Sequence, residues 1–204
     1  MYSQNNEESI IRYHFRNRIG RFLDIGANDG KTFSNSLWCA ENDWSGVCVE
    51  PSKKAFQQLT ELHKDRKSIQ CINVAVGTED GEVEFYESGE HIGKGDHSLL
   101  STINANELKR WKGKSVEFTK TNTRVVSWKS LQKMIDGSKE FDLITIDAEG
   151  MDLDIVRQMD FNLTKTKMLI VEYNRQLEWR YRHLCATFGL KFTMRNNENL
   201  VFTK

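Results

Sequence analysis

The run from Phe141 to Asp147, "FDLITID", is apolar almost throughout and ends on an acid. A strand that is apolar on both faces needs cover on both sides, the situation of a central strand in a parallel sheet packed between helices. The surrounding sequence repeats the theme. Arg21 to Ala27, "WSGVCVEP" and "KMLIVEYN" read as further strands. Between them lie segments of helical period: Ile10, Ile11 and Phe15; Thr32 to Asn42, with Phe33, Leu37 and Ala40 on one face; Ala55, Phe56, Leu59 and Leu62; Leu153, Val156 and Met159. A last helix through Leu177, Tyr181, Leu184, Cys185 and Phe188 stops at Gly189. Strands alternating with helices predict an α/β, doubly wound and largely parallel sheet. A closing hairpin, with Leu190, Phe192 and Met194 facing Leu200 and Phe202, adds one antiparallel strand.

Two segments depart from this rhythm. "IQCINVAVGTEDGEVEFYE" alternates, turns at Asp80-Gly81 and alternates again, which predicts a hairpin. Between Glu87 and Asn122 the periodicity fades, and this insert holds His91, His97, Ser98, Ser101 and the basic run "KRWKGK". It is expected to act as a lid over an acceptor. With one proline and no low-complexity tract, 1–204 reads as a single domain.

Twenty-nine basic and 29 acidic residues give a formal net charge of zero, which argues against nucleic-acid or membrane-surface binding driven by bulk charge. The first twenty residues contain no apolar signal core, and no run approaches the roughly 18 apolar residues of a membrane span. Cys39, Cys48, Cys71 and Cys185 are scattered, without CxxC pairs, and read as reduced thiols, not as metal ligands. A cytoplasmic setting with no membrane partner is expected.

The glycine-bearing turn after the first strand, "DIGANDGKT", decides the chemistry. A P-loop needs four residues between its glycines and a glycine where Ile25 stands, whereas Gly26 and Gly30 have three between them. A dinucleotide fingerprint needs its second glycine at Asn28 and its third at Lys31, and a side chain at Asn28 blocks the close approach of backbone to a pyrophosphate. The remaining pattern is D-x-G-x-N-x-G: Asp24, Gly26, Asn28 and Gly30. It offers polar groups to an amino-acid end in place of a phosphate, as S-adenosylmethionine requires. Glu50 ends the next strand, where a carboxylate accepts hydrogen bonds from ribose hydroxyls in any adenosine-binding sheet of this kind.

Taken together, "FLDIGANDGKTFSN", "GVCVEPSKKAFQQL", "CINVAVG" and "FDLITIDAEGMDLDIVRQMDF" resemble the FkbM family of S-adenosylmethionine-dependent methyltransferases, in order, from about Arg21 to Glu172. "IDAEGMD" is the most diagnostic piece, although Asp152 stands where the family usually shows glutamate. The resemblance implies a class I, Rossmann-like methyltransferase sandwich of seven strands with an antiparallel C-terminal strand. It also implies O-methylation of a hydroxyl on a sugar or other small natural-product-like acceptor. The cofactor-binding residues expected are Asp24, Gly26, Asn28, Asp29, Gly30, Glu50, Pro51, Asn73, Ala75 and Asp147.

Transfer of a methyl to a hydroxyl needs alignment and gains from a positioned base. Asp147 and Glu149 close the central strand, and Glu172 closes its neighbour; these are the expected catalytic acids, with no metal. Glu149 has a competing role as a cap of the following helix. Lys109, Arg110, Lys112 and Lys114 around Trp111 either neutralise an acidic acceptor or form a solvated face, and a solvated face is the commoner use. An RNA 2′-O-methyltransferase would also want catalytic lysines beside the acid pair, and none is evident. A silent S-adenosylmethionine-binding module would lose the reacting motif, which here is intact.

Overall fold

The computed structural model describes residues 1–90, 98–114, 116–173 and 177–204. His91 and His97 lie outside these residues. Elements in chain order are α1 (Glu7–Phe15), β1 (Arg21–Ile25), α2 (Leu37–Glu41), β2 (Ser45–Val49), α3 (Lys53–His63), β3 (Ile69–Ile72), β4 (Ala75–Val76) and β5 (Gly81–Ser88). They continue with α4 (Leu108–Trp111), β6 (Phe118–Val126), α5 (Trp128–Met134), β7 (Leu143–Ile146), α6 (Asp152–Gln158), β8 (Met168–Glu172), α7 (Glu178–Thr187), β9 (Lys191–Arg195) and β10 (Asn199–Thr203).

The main sheet has seven strands in the order β3-β2-β1-β7-β8-β10-β9. β10 runs antiparallel to both of its neighbours, and the other pairs are parallel. The reversal of strand order lies between β1 and β7. Such a switch point opens a crevice beyond the carboxyl ends of the strands, where ligands of α/β sheets bind.

The continuous apolar strands have the predicted cause. Leu23, Val47, Ile144, Leu169 and Phe202 point into one core shared with α5, α6 and α7. Their chain neighbours Phe22, Cys48, Leu143, Ile170 and Val201 point into a second core with Ile11, Phe15, Cys39 and Leu59. Alternation along each strand therefore fills two apolar layers.

Three local expectations are corrected. The helix expected over Thr32–Asn42 forms only from Leu37; before it the chain makes a turn in which Phe33 takes φ 56° and is 38% exposed. Side-chain bonds to the turn win over helix propensity, since Asp29 accepts from the Thr32 amide and hydroxyl and Ser36 donates to Asp24. The hairpin expected at Asp80-Gly81 does not close on itself either. β5 pairs instead with β6, antiparallel from Gly81↔Val125 to Ser88↔Phe118, and β4 joins β6 in parallel as a second, three-stranded sheet. Asp80 explains the redirection, because its carboxylate accepts from the Ser127 amide, the Ser127 hydroxyl and the Ser130 hydroxyl at the head of α5. Finally, a bulge between Val201 and Phe202 sets Met194 opposite Val201, while Phe192 and Phe202 do pair, with ring centroids 5.9 Å apart.

The insert expected at 87–122 is thus shorter in its irregular part. A continuous ribbon of β5 and β6 brackets it, and α4 carries the first half of the basic run.

Candidate active site

At the switch point a cavity of about 290 Å³ opens between the ends of β1, β2, β7 and β8 and the insert. Asp24, Gly26, Asn28, Glu50, Pro51, Ala75, Asp147, Glu149 and Glu172 all line it. Asp29, Gly30 and Asn73 stand behind that wall. Asp29 closes the turn through the amides of Lys31 and Thr32, at 2.8 and 2.7 Å. Asn73 donates to the Glu50 and Pro51 carbonyls, at 2.7 and 3.1 Å. These residues hold the loops that make the cavity.

Gly26 is the joint between the two halves of the site. Its φ is 86°, and a Cβ there would lie 1.7 Å from the carbonyl oxygen of Asp147. Only a glycine lets the loop after β1 cross so close to the loop after β7. Asn28 follows with φ 49°, and its amide donates to Glu50 Oε2 at 2.8 Å; the Ser52 amide donates to Glu50 Oε1 at 2.7 Å. Each Glu50 oxygen keeps a second lone pair for a ligand. Burial pushes the Glu50 carboxyl up to about 8 despite these two amides. Asp24 is buried on the α1–α3 side of β1 and accepts from Ser36 Oγ at 2.5 Å. Burial raises it to about 6.

The β7–α6 loop carries the second half. Asp152, not the competing candidate Glu149, braces the turn before α6: its carboxylate accepts from the Ala148 amide at 2.8 Å and the Gly150 amide at 3.1 Å, and burial raises it to about 6. That leaves Glu149, at φ 43°, directed into the cavity and buried. Carboxylate oxygens of Asp147, Asp152 and Glu172 lie within 4.8 Å of one another. Desolvation, then mutual repulsion among these acids, drives Glu149 and Glu172 well above the usual carboxylate range. Asp147 is shifted the same way by the same causes, although its side chain is open to the cavity and solvent there screens it. Such a cluster stores protons near neutrality and can accept one from a hydroxyl.

The insert forms the roof. Thr102 Oγ1 donates to the Glu149 carbonyl at 2.7 Å, and Asn104 Nδ2 to the Gly150 carbonyl at 3.3 Å. Ser98 Oγ donates to Ser52 Oγ at 2.8 Å, and the Ser52 hydroxyl donates to Glu87, tying the insert to the Glu50 corner. The basic run divides. Lys109, Lys112 and Lys114 are exposed, whereas Arg110 and Trp111 line the cavity. Arg110 is bonded to Glu107 at 2.6 Å and stands 4.0 Å from Glu149.

Sequence reasoning passed over Gln4, Phe33, Asn35, Glu198 and Asn199 as cavity residues, and weighed Arg110 only as one member of the basic run. Asn35 sits in the same quoted motif as Asp24, so its polar side chain was a usable signal. Gln4, Glu198 and Asn199 come from the two ends of the chain, where no local pattern announces them.

The donor set fits S-adenosylmethionine, a ligand rich in hydrogen-bond donors and carrying positive charge. Asn28 Oδ1 and Asn35 Oδ1, on cavity residues, are buried acceptors without a partner. Buried acceptors left unmet are costly, so a donor arriving there is stabilised.

NoeI, a 2-O-methyltransferase of Sinorhizobium fredii, is 25% identical over 158 residues covering 76% of this chain. The chain spans 63% of the length of NoeI. Among solved structures, a methyltransferase FkbM from Methylobacillus flagellatus KT superposes over the whole chain with a TM-score of 0.58 at 12% identity, using 48% of that protein. A candidate RNA methyltransferase from Pyrococcus horikoshii superposes over 98% of this chain and 80% of its own, with a TM-score of 0.51 at 11% identity. At these identities the structural likenesses speak for the Rossmann-like methyltransferase fold alone. The family model of the methyltransferase FkbM domain matches residues 24–189, and the chain belongs to that family.

Proposed function

We propose that this chain is an S-adenosylmethionine-dependent O-methyltransferase acting on a hydroxyl of a saccharide or similar small acceptor. One observation carries the reading. At Gly26 the turn bearing Asp24 and Asn28 crosses against the backbone of Asp147, so a cofactor cradle and an acid cluster share one cleft. Asp24, Asn28 and Asn35 would receive the amino-acid end of the cofactor and Glu50 the ribose hydroxyls, with Pro51 and Ala75 beside them. When bound, the cofactor supplies an electrophilic methyl on a sulfonium. Asp147, with Glu149 and Glu172 beside it, orients the acceptor hydroxyl and takes its proton as the oxygen–carbon bond forms and the sulfur–carbon bond breaks. Raised carboxyl pKa values suit this task, because a base works best near the ambient pH.

The 2-O-methyltransferase activity in the name of NoeI favours oxygen as the acceptor atom. Among the described residues no lysine lines the cleft, which speaks against the lysine-and-acid arrangement of an RNA 2′-O-methyltransferase. The packed acid cluster speaks against a silent binding module. The four cysteines are free and three are buried, and no helix among the described residues is long and apolar enough to cross a membrane. Free thiols suit the reducing setting of a cytoplasm.

Calorimetric titration with S-adenosylmethionine, ATP and NAD tests the cofactor; binding of a nucleotide without S-adenosylmethionine would overturn the reading. Formation of S-adenosylhomocysteine with a panel of methyl glycosides and polyols tests the acceptor.

A further inference from the structure

The segment before α1 has no part in the cofactor motifs, yet Gln4 lines the cavity. Two buried glutamates hold this arm in place. Glu8 accepts from the Tyr2 amide at 2.7 Å, while its own amide donates to Ser3 Oγ at 3.0 Å. Glu7, fully buried, accepts from the Asn5 amide at 2.9 Å. Ser3 pairs with Phe33, an exposed cavity residue in the turn after β1.

The opposite end of the arm is tied to the far side of the cleft. Glu7 Oε1 accepts from Asn196 Nδ2 at 2.6 Å and from Asn199 Nδ2 at 2.7 Å. Asn196 Oδ1 in turn accepts from the amides of Glu198 and Asn199, at 2.9 and 2.7 Å. Glu198 and Asn199 face the cavity, and Asn199 is the register partner of Glu172 across the β8–β10 pair. Gln4 therefore sits on a short bridge from Phe33 to the wall beside Glu172. Glu172 belongs to the acid cluster of the reacting end.

We propose that the arm Ser3–Glu7 is the acceptor-selecting wall of the cleft. The Gln4 amide hydrogen-bonds the acceptor, and Glu7 is a positioning residue that sets Glu198 and Asn199. A primary amide both donates and accepts, so it suits a polyhydroxylated, uncharged acceptor and reads the orientation of a neighbouring hydroxyl. The inference rests on the methyltransferase reading above and adds a residue to it.

The test compares wild type, Gln4→Ala and Glu7→Gln on a panel of methyl glycosides. It measures KM and kcat by S-adenosylhomocysteine formation, and cofactor Kd by calorimetry. Loss of one neutral hydrogen bond predicts that Gln4→Ala raises acceptor KM about threefold to tenfold. The rise should differ between glycosides epimeric beside the methylated hydroxyl, with kcat and cofactor Kd nearly unchanged. Glu7→Gln should move KM in the same direction through Glu198 and Asn199. A KM that rises by the same factor for every glycoside in Gln4→Ala, or a cofactor Kd rising in step with KM, overturns the inference. If wild type binds no S-adenosylmethionine, the methyltransferase reading fails instead. If wild type transfers and Gln4→Ala is silent, only the role of the arm falls.

Discussion

The two ends of the cleft are built on different principles. At the cofactor end, Glu50 and Asp24 each have an assigned partner: two backbone amides for Glu50, one hydroxyl for Asp24. At the reacting end, carboxylate oxygens of Asp147, Asp152 and Glu172 lie within 4.8 Å of one another with Glu149 repelled by the same group, and Asp152 accepts from two backbone amides. The first end is held by its hydrogen bonds and made within one stretch of chain. The second is electrostatically tense and collected from the β7 loop, the end of β8, the insert and both termini. Assigned hydrogen bonds suit holding a constant cofactor, whereas tension keeps protons exchangeable near neutral pH.

The largest effect should come from the joint between the ends. In Gly26→Ala the positive φ costs about 1–3 kcal/mol, and the added methyl meets the Asp147 carbonyl 1.7 Å away. Both ends must then move. The variant should lose cofactor binding and transfer together and melt at a lower temperature, as calorimetry and a thermal scan will show. A stable Gly26→Ala that keeps cofactor affinity would mean the two ends are not mechanically joined.

Asp147→Asn should separate the ends. It keeps the shape and removes the charge and most of the basicity, so single-turnover transfer should fall about 10²-fold or more. Cofactor affinity should change far less. Glu172→Gln should show the same pattern, and the double variant should be less than additive because both acids belong to one cluster. If Asp147→Asn weakens cofactor binding as much as it slows transfer, the carboxylate belongs to the cradle.

Glu50→Ala addresses the other end. Two charge-assisted bonds to ribose hydroxyls, each worth about 1.5–3 kcal/mol, predict at least a tenfold loss of cofactor affinity. Because the same carboxylate holds the Asn28 and Ser52 amides, the melting temperature should fall too. Calorimetry on the folded variant separates the effects, and unchanged affinity removes Glu50 from the ligand.

This division also explains how much was legible in the sequence. Strand patterning gave the layered sheet and its reversed C-terminal strand, since burial on two faces leaves a mark on every residue of a strand. The cavity wall at the ends of β1 and β2 was legible because its contacts are local: Gly26, Asn28 and Glu50 follow consecutive strands and line one cavity. Side-chain competition with the backbone was harder to read, so the Thr32–Asn42 helix was overextended and Asp80 diverted an expected hairpin. Glu149 and Asp152 illustrate the limit. Both are acids in one loop, and only three-dimensional geometry decides that Asp152 braces the amides while Glu149 faces the cavity. Gln4 and Glu198, at opposite ends of the chain, carry no mark of a common site.

The smallest expected effect is a pH dependence of stability that the tense end and Glu50 impose together. A carboxyl raised on folding holds its proton longer in the folded chain than in the unfolded one. Its contribution is complete below the unfolded value and is lost as pH rises through the folded value. Glu50, raised from 4.5 to about 8, therefore loses stability up to about pH 8, and Glu149 and Glu172 act in the same sense. His63 opposes them at lower pH: burial beneath Gly30 lowers it from 6.5 to about 4, so its contribution improves as pH rises to about 6.5. The acids stand unopposed by His63 between about pH 6.5 and 8. One group changes stability by at most about 1.4 kcal/mol per pH unit, and about 2–4 °C accompanies each kcal/mol in a chain of this size. The melting temperature of the ligand-free protein should thus fall by a few degrees across that window. Glu50→Gln should flatten the slope by removing one titrating group, and saturating S-adenosylmethionine should flatten it further by bringing positive charge to the carboxylates. A melting temperature that rises from pH 6.5 to 8, in wild type and Glu50→Gln alike, would mean that these acids are already ionised and well solvated, and the contrast between the two ends would vanish.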